Sequence, residues 1–142
     1  MNNLGAVLFA ILAGSSTALE AFINGELGKN TTALIATFIS LVVGAVFFLI
    51  SILATGDLKT LVNINEINPK LLLGGILGGL VIYFTVRAIP NLGVSNTLTL
   101  IVVSQMLLSF FIDSFVLGQG TMHLYKYIGA ALLVIGTFFI LN

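Results

Sequence analysis

The sequence lacks cysteine altogether and has a single histidine among its 142 residues. Without cysteine there is no disulfide framework, no thiolate metal site and no thiol nucleophile. One histidine, His123, cannot form a multi-histidine metal site within one chain. The residue types also give no Ser/His/Asp or Cys/His catalytic set. We therefore expect a protein that is not an enzyme and that holds no metal and no cofactor.

Charge is scarce as well. Only 7% of the residues are charged and 58% are hydrophobic, whereas a soluble domain carries about 25% charged residues. Lys plus Arg equal Asp plus Glu at five each, which excludes a basic nucleic-acid surface. The composition predicts an integral membrane protein whose surroundings are the lipid bilayer. Met1, Asn2 and Asn3 carry no positive charge, so we expect a retained first helix rather than a signal peptide.

Apolar runs separated by short polar turns predict an all-α fold of five transmembrane helices. We expect one membrane domain, residues 1–142, with spans at 4–27, 32–54, 70–89, 94–117 and 124–141. Gly28 is the expected C-cap of the first span. The residues from Pro90 to Gly93 predict a tight turn between the third and fourth spans. Residues 57–69 fit either a short amphipathic surface helix or an ordered loop.

The first span contains a carboxylate. The apolar run from Leu4 to Ala13 is too short to cross a bilayer, which takes about 20 residues, so the helix must continue through Glu20. A carboxylate inside a membrane helix is costly and is a candidate functional site. Ser16 and Asn24 lie four residues on either side and share its face. Because desolvation disfavours the charged form, Glu20 can act as a proton carrier, or as a neutral group that joins helices.

Other spans carry further polar residues. Five of them complete the candidate substrate- and proton-binding set: Tyr83, Arg87, Gln105, Ser109 and Asp113. The last three, with Thr97, are spaced at multiples of four and are expected on one helix face. Thr37, Ser40, Gly44 and Ser51 give the second span a small, mildly polar side. The glycines from Gly74 to Gly79 predict close packing between helices. Arg87 either pairs with Glu20 or substrate, or snorkels to the interface.

Five spans with one shallow polar face make only half of a cavity. Transporters commonly bind substrate near the midplane between inverted repeats, and this chain contains no internal repeat. The basic residues divide three against two, Lys59, Lys70 and Lys126 on one side and Lys29 and Arg87 on the other. This bias is weak, so the chain can insert in either orientation. We expect an antiparallel homodimer, or a pair with an oppositely oriented paralogue.

An ordered series of short motifs covers nearly the whole chain. They are Ala18-Leu19-Glu20, Ile23 to Gly28, Phe38 to Gly44, Gly74 to Gly78, Ser104-Gln105, Ile112 to Phe115, and Lys126 to Gly136. In their order and spacing they resemble the YdcZ-like branch of the drug/metabolite transporter superfamily, small five-span proteins of undefined function. The resemblance implies a bacterial inner-membrane exporter of small molecules. It also implies an inverted-topology arrangement, as a dual-topology homodimer, a pair of paralogues or a fused ten-span chain.

The chain departs from that family pattern at Glu20, where glutamine is usual. In this respect it is similar to the four-span small multidrug resistance transporters, whose first helix carries an essential glutamate. The leading hypothesis is a transporter that exchanges protons for a small substrate through Glu20. Cations are the first substrate class to test. The alternatives are a small-ion channel formed by an antiparallel dimer and a non-transporting membrane assembly subunit.

Overall fold

The computed structural model describes residues 3–62, 69–116 and 124–142. It contains five α-helices: α1 (Asn3–Asn30), α2 (Ala33–Thr55), α3 (Leu58–Val62), α4 (Leu73–Phe111) and α5 (Leu124–Leu141). A 3₁₀ turn, Pro69–Leu72, leads into α4, and a π-helix, Ile112–Val116, follows it. No strand occurs in the described ranges. The all-α membrane architecture predicted from composition is confirmed.

Four helical segments are long and apolar enough to cross a membrane: Leu4–Asn30, Ala33–Thr55, Lys70–Phe115 and Leu124–Leu141. The third has 46 residues. As one straight helix it would extend about 69 Å at about 1.5 Å per residue, more than twice the ~30 Å hydrocarbon core. Its backbone is interrupted at Gly93, where two helices meet. We call residues 73–90 α4a and residues 94–111 α4b.

The interruption in α4 depends on three residues. Gly93 has φ 78° and ψ 167°, a combination that is essentially restricted to glycine. Pro90 has no N–H to donate to the preceding helical turn. After the break, Thr97 is 2% exposed and its Oγ1 donates to the Gly93 carbonyl at 2.7 Å. Residues 90–92 stay helical, so the break is narrower than the four-residue turn expected from the sequence.

The chain divides into two compact units at the same place, residues 1–90 and 91–142. The first unit holds α1, α2, α3 and α4a, and the second holds α4b and α5. In the second unit Thr137 is buried and its hydroxyl donates to the Leu133 carbonyl at 2.8 Å. The bounds of α5 agree with the predicted fifth span. A single domain over residues 1–142 stays a prediction.

In the first unit, glycines let α1 approach α4a closely. A Cβ at Gly25 would lie 3.0 Å from Cδ1 of Ile89, and one at Gly28 would overlap Cγ1 of Val86. Ala36 of α2 is fully buried beside this contact. The sequence-based expectation that Gly28 caps the first span is wrong, because the helix continues to Asn30. Gly28 is needed for helix packing, since small residues allow backbones to approach in membranes.

The ends of α2 follow the sequence signals. At its start the Thr32 hydroxyl accepts a hydrogen bond from the Ile35 N–H at 3.2 Å. At its end Gly56 takes φ 80°, and its N–H donates to the Ile52 carbonyl at 3.1 Å. The short helix α3 confirms a helical start for the 57–69 segment, and residues 63–68 lie outside the described part of the chain.

The predicted close packing of the glycines in α4a is confirmed at one position only. A Cβ at Gly79 would lie 3.2 Å from Cδ1 of Leu41. A Cβ at Gly74, Gly75 or Gly78 would meet nothing within 4 Å. These three glycines are therefore not used for packing among the described residues of this chain.

Replacing Gly28 by alanine should destabilise the first unit. Alanine gains about 1 kcal/mol of helix propensity over glycine, but the new methyl group overlaps Val86 and forces overpacking that costs about 1–3 kcal/mol. Gly14→Ala in the same helix is the matched control, because a Cβ there meets nothing within 4 Å. The measurement is the temperature at which detergent-solubilised protein loses its monodisperse size-exclusion peak. A Gly28→Ala midpoint equal to or above that of Gly14→Ala would contradict the packing described here.

Replacing Gly93 by alanine should also destabilise the protein, for a conformational reason. Its φ and ψ lie in a region that costs other residues about 1–3 kcal/mol, and no neighbouring atom lies within 4 Å of the added Cβ. Gly78→Ala is the control, because that glycine is equally open but helical. The same heating assay separates the two variants. Equal midpoints would show that the break does not require glycine.

Candidate functional site

A buried amide, Asn24, occupies the centre of the polar cluster in the first unit. Its side chain is 5% exposed. Nδ2 lies 3.2 Å from Oγ of Ser40 in α2 and 3.4 Å from Oε1 of Glu20, one turn earlier in α1. The first distance is at the long end of the usual range for N–H···O hydrogen bonds and the second lies just beyond it, so the contact with Glu20 is the weaker one. Asn24 therefore joins α1 to α2 and to the intramembrane carboxylate.

Glu20 itself lies on the surface of the single chain. Its side chain and that of Ser16 are exposed. Glu20 is three residues from the centre of the apolar segment Leu4–Asn30, which is about 5 Å along the helix axis. An ionised carboxylate at that depth costs about 2.5–3.5 kcal/mol on insertion scales. In the described part of the chain, Asn24 is its hydrogen-bond partner.

Tyr83 and Arg87 belong to the same unit but not to this hydrogen-bonded cluster. Tyr83 is half-buried and lines an apolar groove between α2 and α4a. Its ring packs edge-on against that of Phe84, with centroids 5.5 Å apart. Arg87 is exposed. Lys29 and Glu26 form an ion pair near the end of α1. The expected alternative of a Glu20–Arg87 pair is not formed in the described part of the chain.

The remaining candidates belong to the second unit. Gln105 and Ser109 are exposed on α4b, and Asp113 is half-buried in the π-helix. The expected continuous face from Thr97 to Asp113 is not kept, because Thr97 is buried while Gln105 is exposed. Four residues turn a helix by about 40° more than one full turn, so a spacing of four drifts around the axis. Convergence of these residues with Glu20 stays a prediction.

Sequence reasoning did not include Ser40 in the site. The pattern placed it on the mildly polar side of α2, together with Thr37 and Gly44. That pattern contains no information about which turn of α1 faces it. The contact with Asn24, 16 residues away in the chain, follows from the packing of the two helices.

The fold and this cluster define a class of protein: a multi-span α-helical membrane protein with a carboxylate and a buried amide inside its first span. A family model described as "Putative inner membrane exporter, YdcZ" matches residues 5–139. The chain belongs to this family, as the motif series predicted. The family is one of inner-membrane exporters and not of enzymes. Comparisons with curated proteins and with solved structures gave no match.

Proposed function

We propose that this protein exchanges protons for a small cationic substrate at Glu20 and that it works as an antiparallel homodimer. The observation that carries the proposal is the exposed Glu20 carboxylate near the middle of an apolar span. Membership of an exporter family supports transport. The glutamate supports the coupling, because it gives this chain an acid at a depth where acids are rare and functional.

Exchange of a proton for a cationic substrate follows if both compete for the same carboxylate. A proton and a cationic substrate both neutralise Glu20, so each displaces the other. If the site opens to one side of the membrane at a time, a proton gradient then drives the cation in the opposite direction. Ser16 and Asn24 lie one turn away on each side of Glu20 and contribute polar groups to the same face. Tyr83, Arg87, Gln105, Ser109 and Asp113 would complete the cavity in the dimer.

The dimer follows from the cost of exposing this face. In a single chain Glu20 and Ser16 are exposed, and in a bilayer their surroundings would be hydrocarbon. A second copy inserted in the opposite orientation would bring its own Glu20 to within about 9 Å in depth, because the residue lies three residues from the middle of its span. The weak bias of the basic residues, three against two, permits both orientations.

Removing the acid should abolish coupled transport. We expect Glu20→Gln in proteoliposomes to lower pH-gradient-driven cation flux by at least about tenfold, since glutamine cannot exchange a proton at this position. Its amide oxygen can still accept from Asn24, so the fold should be retained. The measurement is uptake of a panel of organic cations with and without a pH gradient.

Glu26→Gln is the matched control, because Glu26 lies in the same helix and its carboxylate is exposed and paired with Lys29. An exposed pair of this kind contributes little to stability, and the variant should transport normally. Full proton coupling in Glu20→Gln would refute the proposal. A flux far above transporter turnover, insensitive to the pH gradient, would favour an ion channel.

The antiparallel arrangement predicts a pattern of crosslinks. The natural sequence has no cysteine, so single-cysteine variants need no further change. Ser16 and Phe9 lie on the face of Glu20, one and three turns before it. A thiol at Ser16→Cys, near the centre of α1, should link to its own copy through a short bifunctional maleimide.

Phe9→Cys is the discriminating variant. Phe9 lies eight residues from the centre of the span, about 12 Å along the axis, so its two copies would be separated by about 24 Å in depth in an antiparallel dimer. It should remain monomeric on a denaturing gel. Self-linking of both variants would indicate a parallel dimer. If neither variant links to its own copy, the Glu20 face does not form the dimer interface.

A further inference from the structure

Among the described residues of α2, Ser40 is the one that is hydrogen-bonded to Asn24, the hydrogen-bond partner of Glu20. We propose that Ser40 is a positioning residue for Glu20, acting through the amide of Asn24. This inference rests on the proposed role of Glu20 and assigns a function to a residue of a different helix. It would make the protonation of the carboxylate depend on the packing of α2 against α1.

The geometry gives Asn24 a fixed orientation. An amide nitrogen carries two hydrogens, and here Nδ2 lies within reach of two acceptors, Oγ of Ser40 at 3.2 Å and Oε1 of Glu20 at 3.4 Å. Because Asn24 is 5% exposed, its amide has little access to any external partner. Ser40 therefore holds the amide in the orientation that donates to the carboxylate, and a hydrogen bond to the charged form favours that form.

A hydroxyl is suited to this position because its oxygen can accept from the amide. When Glu20 is ionised, Nδ2 donates to the carboxylate and to Ser40. When Glu20 is protonated, the acceptor is neutral and the hydrogen bond from Nδ2 is weaker. The pair therefore supports mainly the ionised form.

Few other ionisable groups are available to replace the hydrogen bond that Asn24 donates to Glu20. The helix α2 has no titratable side chain. The ionisable residues of α4a are Tyr83 and Arg87. Besides Glu20, those of α1 are Glu26 and Lys29, which pair with each other. In the described residues none of these four is hydrogen-bonded to Glu20. The connection from Glu20 to a neighbouring helix runs through Asn24 and Ser40.

The test uses dicyclohexylcarbodiimide, which modifies protonated carboxyl groups in apolar surroundings, on the full chain in detergent. Modification of Glu20 is followed by mass spectrometry across a pH series, and Glu20→Gln identifies its signal. We expect Asn24→Leu, which keeps the side-chain shape, to increase the modification of Glu20 about threefold over wild type at the same pH, because the ionised carboxylate loses its hydrogen bond. Ser40→Ala should increase the modification as well, and Ser40→Thr, which keeps the hydroxyl, should restore the wild-type profile.

Ser51→Ala is the matched control, because Ser51 is the other serine of α2 and its hydroxyl donates to the Phe47 carbonyl at 2.9 Å. It should leave the profile unchanged. Ser40→Cys, nearly equal in volume but a weak hydrogen-bonding group, replaces Ser40→Ala if the alanine variant does not fold. A wild-type profile in the folded Ser40 variant, or failure of Ser40→Thr to restore it, overturns the positioning role. The assay needs no transport, so absence of coupled cation flux in the wild-type protein would overturn only the proposed function.

Discussion

A polar group inside hydrocarbon must find its partners within the protein, and this constraint explains the arrangement of the first unit. The Asn24 amide is buried where α1 meets α2 and donates to both Ser40 and Glu20. On the same part of α1, Gly25 and Gly28 leave room for Ile89 and Val86 of α4a. The polar contact and the glycine contacts are neighbours on α1, so helix packing and the environment of the carboxylate depend on each other.

A second constraint is the thickness of the bilayer. The apolar segment Lys70–Phe115 is too long for one crossing, and the chain breaks it at a glycine with a conformation that other residues avoid. The break falls next to the boundary between the two compact units. The candidate residues divide at the same point. Glu20 and its partners are in one unit, and Gln105, Ser109 and Asp113 are in the other.

Family membership and the geometry of the cluster support different parts of the function. The family gives export across the inner membrane. The glutamate at position 20, where the family resemblance leads one to expect glutamine, suggests a proton-coupled variant of that activity. Its exposure in the single chain favours a site completed by a second subunit. Ser40 would then connect the state of the acid to the position of α2.

Composition and periodicity by themselves determined the all-α membrane class and several helix ends. They did so because apolar length and capping residues act locally, as at Thr32 and Gly56. The sequence also identified Glu20 and Asn24, since a spacing of four defines one helix face. The tertiary structure alone decided that Gly28 packs instead of capping and that Ser40 contacts Asn24. Both depend on the register between helices, which the residues of one helix do not specify.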